Sequence, residues 1–129
     1  MFDLNLNCVF HILRAAVPPL RKTGNGRVIA VGSRAALEPG IGVGAYSASK
    51  GAMVSLLKTV ALKNKDAGLT ATVILPGTMD TPANRQAIPS ADVSKWVQPA
   101  TVAELVVWLA GEAGKDVNGS VIPVYGKDA

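Results

Sequence analysis

The sequence predicts an α/β domain in which helices cover a parallel sheet of about three strands, in three layers, and two observations carry that expectation. Short apolar, β-branched runs recur near residues 27–32, 70–75 and 121–125, and each follows a longer segment with helical apolar spacing. An α-β-α-β-α-β order of this kind folds with parallel strands and with helices across the sheet faces. At 129 residues, with 49% hydrophobic and 17% charged side chains, the chain has the composition of a single domain over residues 1–129 with a substantial core.

The elements follow in order. Over residues 4–20, Leu6, Val9, Phe10, Leu13 and Val17 recur at helical spacing, and the pattern breaks at Pro18-Pro19 and Gly24-Asn25-Gly26. The run 27–32 is apolar throughout after Arg27, which suits a strand covered on both faces of a parallel sheet. Residues 33–45 read as a glycine-rich loop carrying Pro39. A long helix is expected over 46–66, where the small residues Ala48, Gly51, Ala52 and Ser55 permit close backbone approach. A second strand spans 70–75 and stops at Pro76-Gly77. Residues 78–98 then read as a long irregular loop, a kind of segment that is usually functional or mobile. Pro99 opens a last helix through Val102, Leu105, Val106 and Leu109 to Ala113. The final strand, 121–125, carries Pro123, which favours a sheet edge. So narrow a sheet leaves the first strand with a bare edge, and a second copy or another chain is expected to cover it.

Bulk properties exclude several functions. The net charge is +4 and the pI about 9.5, but the Lys and Arg residues are scattered and form no basic run. Nucleic-acid binding is not expected; solubility or a phosphate-bearing small molecule accounts for the charge. The single Cys8 cannot form an internal disulfide, and with the single His11 it makes no metal site. A reducing, cytoplasmic setting follows. Asp3, His11 and Arg14 interrupt the first apolar residues, so no signal peptide is read, and no run approaches the roughly eighteen apolar residues of a membrane span.

Chemistry concentrates in Tyr46-Ser47-Ala48-Ser49-Lys50, with Ser33 and Asn5 upstream. Tyr46 and Lys50 lie one helical turn apart on a common face. A phenol with an unperturbed pKa near 10 is a poor acid or base, but an adjacent ammonium stabilises its phenolate. The phenol can then exchange a proton with a carbonyl or alcohol oxygen. Alone, the pair is equally well an ordinary surface pair. Ser33 adds weight, because it follows the first strand, where side chains in open α/β sheets face the ligand crevice. A turn-capping serine is the plain alternative.

Four blocks together resemble the C-terminal half of a short-chain dehydrogenase/reductase: Asn5-Leu6-Asn7-Cys8-Val9-Phe10, Gly26-Arg27-Val28-Ile29 leading to Ser33, Tyr46 to Lys50, and Pro76-Gly77-Thr78-Met79-Asp80-Thr81. The resemblance covers the whole chain and implies a partial Rossmann-like sandwich, an NAD or NADP cofactor and a small carbonyl or alcohol substrate. It implies that Tyr46 is the general acid/base, that Lys50 eases its ionisation and holds the nicotinamide ribose, and that Ser33 orients the substrate oxygen. Asn5 would hold a water linking Lys50 to solvent. Pro76, Gly77 and Thr81 would contact the nicotinamide carboxamide and nearby phosphate, with the backbone of Thr78 and Met79 lining the pocket. It further implies a homo-oligomer in which the helices starting near Asn5 and Tyr46 meet their twins.

The segment from Leu75-Pro76 through Asp80-Thr81-Pro82-Ala83-Asn84-Arg85 to Ile88-Pro89, Ala91-Asp92 and Trp96 is also similar to dihydropteridine reductase and its bacterial relatives. Trp96 would stack a flat ring and Arg85 meet a polar edge; equally, Trp96 pins the loop and Arg85 pairs with Asp80. Typical dihydropteridine reductases lack a serine at the Ser33 position, so Ser33 favours a general carbonyl or alcohol enzyme. The sequence departs from the family in one respect: it holds no glycine-rich strand-to-helix turn for a pyrophosphate. Gly40-Ile41-Gly42-Val43-Gly44 follows a loop and reads as part of an active-site loop. The dinucleotide-binding half is expected to be absent, which leaves a non-catalytic, partner-binding remnant as the alternative to an oxidoreductase.

Overall fold

A computed structural model describes residues 1–128 of the chain. Three strands, β1 (Arg27–Val31), β2 (Thr70–Pro76) and β3 (Val121–Val124), form one parallel sheet in the order β1-β2-β3. The register runs from Arg27↔Thr70 to Val31↔Ile74 on one side of β2, and from Val73↔Val121 to Pro76↔Val124 on the other. Every residue of β2 is buried. Its alternate side chains feed two separate cores, as the period of a strand dictates.

Ala71, Val73 and Leu75 meet Leu13 of α1 (Cys8–Thr23) and Met53, Val54, Leu57 and Ala61 of α2 (Gly44–Asn64). On the opposite face Ile74 meets Val102 and Leu109 of α4 (Pro99–Ala110), with Ile29 and Ile122 beside them. Each of Leu57, Ile74 and Leu75, essentially inaccessible to solvent, contributes about 1.5–3 kcal/mol of burial energy. The three-layer Rossmann-like architecture is thus realised around one central strand. Asn118 stitches strand to helix: its Oδ1 accepts from Ala71 N at 2.9 Å, and its Nδ2 donates to Ala61 O at 3.2 Å.

Several boundaries differ from the sequence expectation. Helix α1 does not stop at Pro18-Pro19 but continues through both to Thr23. The carbonyls deprived of a ladder donor belong to Arg14 and Ala15, both exposed residues, so the lost bonds fall on the solvent side of the helix. Strand β1 is only half covered rather than buried on both faces, and Val31 is exposed. The segment 78–98 is more ordered than a loop: it holds the short helix α3 (Pro82–Ala87), a 3₁₀ turn at Val93–Lys95 and a parallel bridge between Met79 and Val97. Helix α2 begins at Gly44 and ends at Asn64, and α4 ends at Ala110. Among the described residues no helix is long and apolar enough to cross a membrane.

Thr70 N donates to Gly26 O at 3.0 Å and Gly32 N to Ile74 O at 2.7 Å. The even-numbered positions of β1 therefore face β2. The N–H and C=O of Arg27, Ile29 and Val31 consequently point away from the sheet, and among the described residues no strand pairs with them.

Helix α1 and the turn after α2 both end in left-handed glycines, Gly24 and Gly68, each at φ 69°. Their surroundings differ: a Cβ at Gly24 meets nothing within 4 Å, whereas one at Gly68 collides with the Gly24 carbonyl. Gly24→Ala is expected to cost about 1–2 kcal/mol from backbone conformation alone. Gly68→Ala carries that cost and a steric one of about 1–3 kcal/mol more. Urea denaturation of the two variants checks the ordering, and equal losses would show that the clash relaxes freely.

Candidate active site

Three chain segments converge at the C-terminal ends of β1 and β2. Ser33 follows β1 through Gly32 in extended conformation (φ −154°, ψ 150°) and caps a 3₁₀ turn at Arg34–Ala36. Its Oγ accepts from Ala35 N at 3.2 Å. The hydroxyl hydrogen thereby stays available for another acceptor, so the capping bond does not use up this serine's hydrogen-bonding capacity. Tyr46 lies in the first turn of α2, half-buried, and Lys50 stands one turn further on with Nζ 5.9 Å from the Tyr46 ring centre.

The opposite wall is the turn that leaves β2. Gly77 N donates to Val124 O at 2.8 Å, which holds Pro76-Gly77 against β3. Thr78 O accepts from Val97 N at 2.9 Å, and Asp80 N donates to Val97 O at 2.8 Å, so Met79 is fixed between them. Ser33, Tyr46, Pro76, Gly77, Thr78 and Met79 line one cleft of about 510 Å³. Gly40 and Val43 at its rim place the glycine-rich loop there as well.

Asn5, Lys50 and Thr81 are not among the lining residues. Asn5 sits in a widened, π-helical turn at Asp3–Asn7 that leads into α1. From there its Nδ2 donates to Ser49 Oγ at 3.1 Å, and Ser49 Oγ donates to Tyr46 O at 2.8 Å. Asn5 thus reaches the Tyr46 turn through Ser49, which is wholly buried. Thr81 caps α3, its side chain accepting from Asn84 N at 3.2 Å, while Asn84 Nδ2 donates to Met79 O at 2.8 Å and lines the cleft itself. Sequence reasoning missed Ser49, Arg34 and Glu38. Their only local signals are the spacing of Ser49 within the Tyr46 turn and the one-turn spacing of Arg34 and Glu38 in a segment read as loop.

Trp96 and Arg85 are both engaged within the fold. Trp96 is buried. Arg85 pairs bidentately with Asp80 at 2.6 and 2.9 Å, and Gln98 Nε2 adds a bond to Asp80 Oδ2 at 3.2 Å. The Arg85 hydrogen bond first, and then that of Gln98, hold the Asp80 carboxyl down from the ordinary 3.8 to about 2.

The family described as short chain dehydrogenase matches residues 1–92, and the chain belongs to that family. It is 30% identical to the D-beta-hydroxybutyrate dehydrogenase of Rhizobium meliloti, over 95% of this chain and 55% of the relative. Among solved structures, a short chain dehydrogenase/reductase family protein superposes with a TM-score of 0.90 at 26% identity, covering 98% of this chain and 55% of the other. A 3-oxoacyl-(acyl-carrier protein) reductase with bound NAD from Brucella melitensis superposes at 0.83 and 26% identity, covering 97% and 49%. The chain spans about half the length of the curated relatives it matches.

The Asp80 cluster makes a pH-dependent contribution of definite sign. Its folded-state pKa is depressed, so the unfolded chain binds the extra proton between about pH 4 and pH 2. The stabilisation is complete above that range and is lost as pH falls through about 2. Asp80→Asn is therefore expected to be less stable than the parent at pH 6, with the difference shrinking toward pH 2. Paired urea midpoints across that range measure it, and a pH-independent difference would contradict the assignment.

Proposed function

We propose that the chain carries the proton-transfer site of an NAD(P)-dependent oxidoreductase that interconverts a small carbonyl compound and its alcohol. The observation that carries this reading is the meeting of Ser33 and Tyr46 with the Pro76–Met79 wall around one cleft, with the Lys50 ammonium a turn behind the phenol. In the reducing direction, the Tyr46 hydroxyl donates its proton to the substrate oxygen. Ser33, with its oxygen occupied by Ala35 N, donates a hydrogen bond to that same oxygen and orients it. Asn5 steadies the Tyr46 turn through Ser49.

The residues fit the nicotinamide end of a dinucleotide. The cleft is bounded by Tyr46 on one side, with Lys50 a turn behind it, and by Pro76, Gly77 and Met79 on the other, with Thr81 following that wall in the chain. A nicotinamide held there would supply the hydride exchanged at substrate carbon. The 129 residues offer no glycine-rich strand-to-helix turn for the pyrophosphate. Cofactor affinity in this chain alone is therefore expected to be weak.

A groove between α1 and α2, lined by Phe10, Val17, Leu56 and Val60, supports self-association through those helices. The free, exposed thiol of Cys8 fits a reducing compartment. A second reading, a non-catalytic partner-binding module, draws on the unpaired β1 edge. No comparable observation favours a pterin, because Trp96 and Arg85 are engaged within the fold.

In a Trp108→Phe background, which leaves Trp96 as the reporter, titration with NADH and NADPH is expected to give saturable quenching and a raised melting temperature. Lys50→Ala should lose that response. Tyr46→Phe should keep it while turnover of a ketone panel falls by about a hundredfold or more. Absence of any response at millimolar cofactor would reject cofactor binding by these residues alone and leave the binding module, or an assembly in which a separate polypeptide supplies the dinucleotide-binding half.

A further inference from the structure

We propose that Arg34 is a positioning residue that holds Ser33 at the cleft by clamping the turn after Ser33 to the segment following β3. The proposal rests on the reading of Ser33 as the group that meets the substrate oxygen. Three contacts define the clamp. Arg34 Nε pairs with Glu38 Oε2 at 2.6 Å, Nη1 donates to Asp128 O at 2.8 Å, and the guanidinium lies 4.5 Å from the centre of the Tyr125 ring. Arg34, Glu38 and Asp128 all line the same cleft as Ser33 and Tyr46.

The turn at Arg34–Ala36 needs outside support. Its own backbone bonds are three, Ala36 N to Ser33 O at 3.0 Å, Leu37 N to Arg34 O at 3.1 Å and Glu38 N to Arg34 O at 3.0 Å; the first two are of the short 3₁₀ kind and the last two share one acceptor, so the turn is a weak device on its own. The orientation of Ser33 Oγ depends on that turn, because it is set by Ala35 N. The far jaw of the clamp is firm: Tyr125 packs on the α1–α2 core, and Gly126 lies against the backbone of Lys95 and Trp96. Arg34 thereby ties the Ser33 wall to the chain that also braces the Pro76-Gly77 wall.

The same geometry argues against a role for Arg34 as a receptor for anionic substrate. Two of its donors are committed, Tyr125 covers one face, and the Glu38 carboxylate neutralises its charge. The clamp also calls for arginine in particular. A lysine ammonium lacks the planar fork that reaches a carboxylate and a backbone carbonyl while stacking on an aromatic ring.

The test compares Arg34→Ala and Arg34→Lys with the parent by amide hydrogen exchange. Both variants are expected to exchange about tenfold faster at Ala35 and at Lys127 and Asp128, with β2 amides unchanged as the check that the fold is intact. In cofactor-dependent turnover, Arg34→Ala should lower kcat about tenfold with KM within about twofold, and should add nothing to Ser33→Ala in the double variant. Unchanged exchange at Ala35, full rescue by lysine, or losses that multiply in the double variant would each overturn the clamp. A Ser33→Ala variant with parental turnover would instead refute the role of Ser33, and the exchange result would still decide whether Arg34 holds the turn.

Discussion

Both faces and both edges of β2 are occupied, and the rest of the structure depends on that. Ala71, Val73 and Leu75 serve the core beneath α1 and α2, while Ile74 serves the core beneath α4. β1 and β3 take up its backbone groups on either side. A polar side chain buried in the middle of such a strand needs a partner, and Thr72 has one: its Oγ1 donates to Val117 O at 3.3 Å. The direction of β2 then decides where chemistry can occur. Its C-terminal end delivers Pro76-Gly77 to the level at which β1 delivers Ser33, so both walls of the cleft are set by a single register.

The cleft is assembled from backbone as much as from side chains. The turns at Ser33 and at Pro76-Gly77 are held by hydrogen bonds to the chain ahead of and behind them, and the Tyr46 turn is braced from α1 by the Asn5–Ser49 link. Groups that act on a reacting oxygen must be held within a fraction of an ångström, and rigid supports of this kind supply that order before a ligand arrives. The Asp80–Arg85–Gln98 cluster plays the same part for the segment after β2, locking the start of α3 to the strand-like residues around Val97.

Much of this was legible in the sequence, for identifiable reasons. β2 announces itself as an apolar β-branched run between Gly68 and Pro76-Gly77, and Pro123 marks β3 as an edge. The pairing of Tyr46 with Lys50 follows from a one-turn spacing, which is local, and Ser33 is placed by following β1 at the C-terminal end of the sheet. What escaped is of two kinds. Helix α1 runs through Pro18-Pro19 because the bonds it forfeits lie on a solvent face, a fact of tertiary placement that propensity does not contain. Helix α3, by contrast, carries its own signal, an N-cap Thr81 followed by Pro82, which a loop reading of residues 78–98 passes over. The Arg34–Asp128 contact joins residues 94 positions apart, and no local pattern encodes it.

The two borders of the sheet have unequal chemistry. Val124 O accepts from Gly77 N, so the neighbouring Pro123 faces outward and removes a donor from the β3 border. The β1 border has no such block, and Arg27, Ile29 and Val31 present their peptide groups there. Among the described residues, the two borders thus differ in the donors they offer a further strand. If two copies met through β1, symmetry would make the contact self-complementary and leave a β3 border carrying Pro123 at each end. Such an assembly would close as a pair instead of propagating as a fibre.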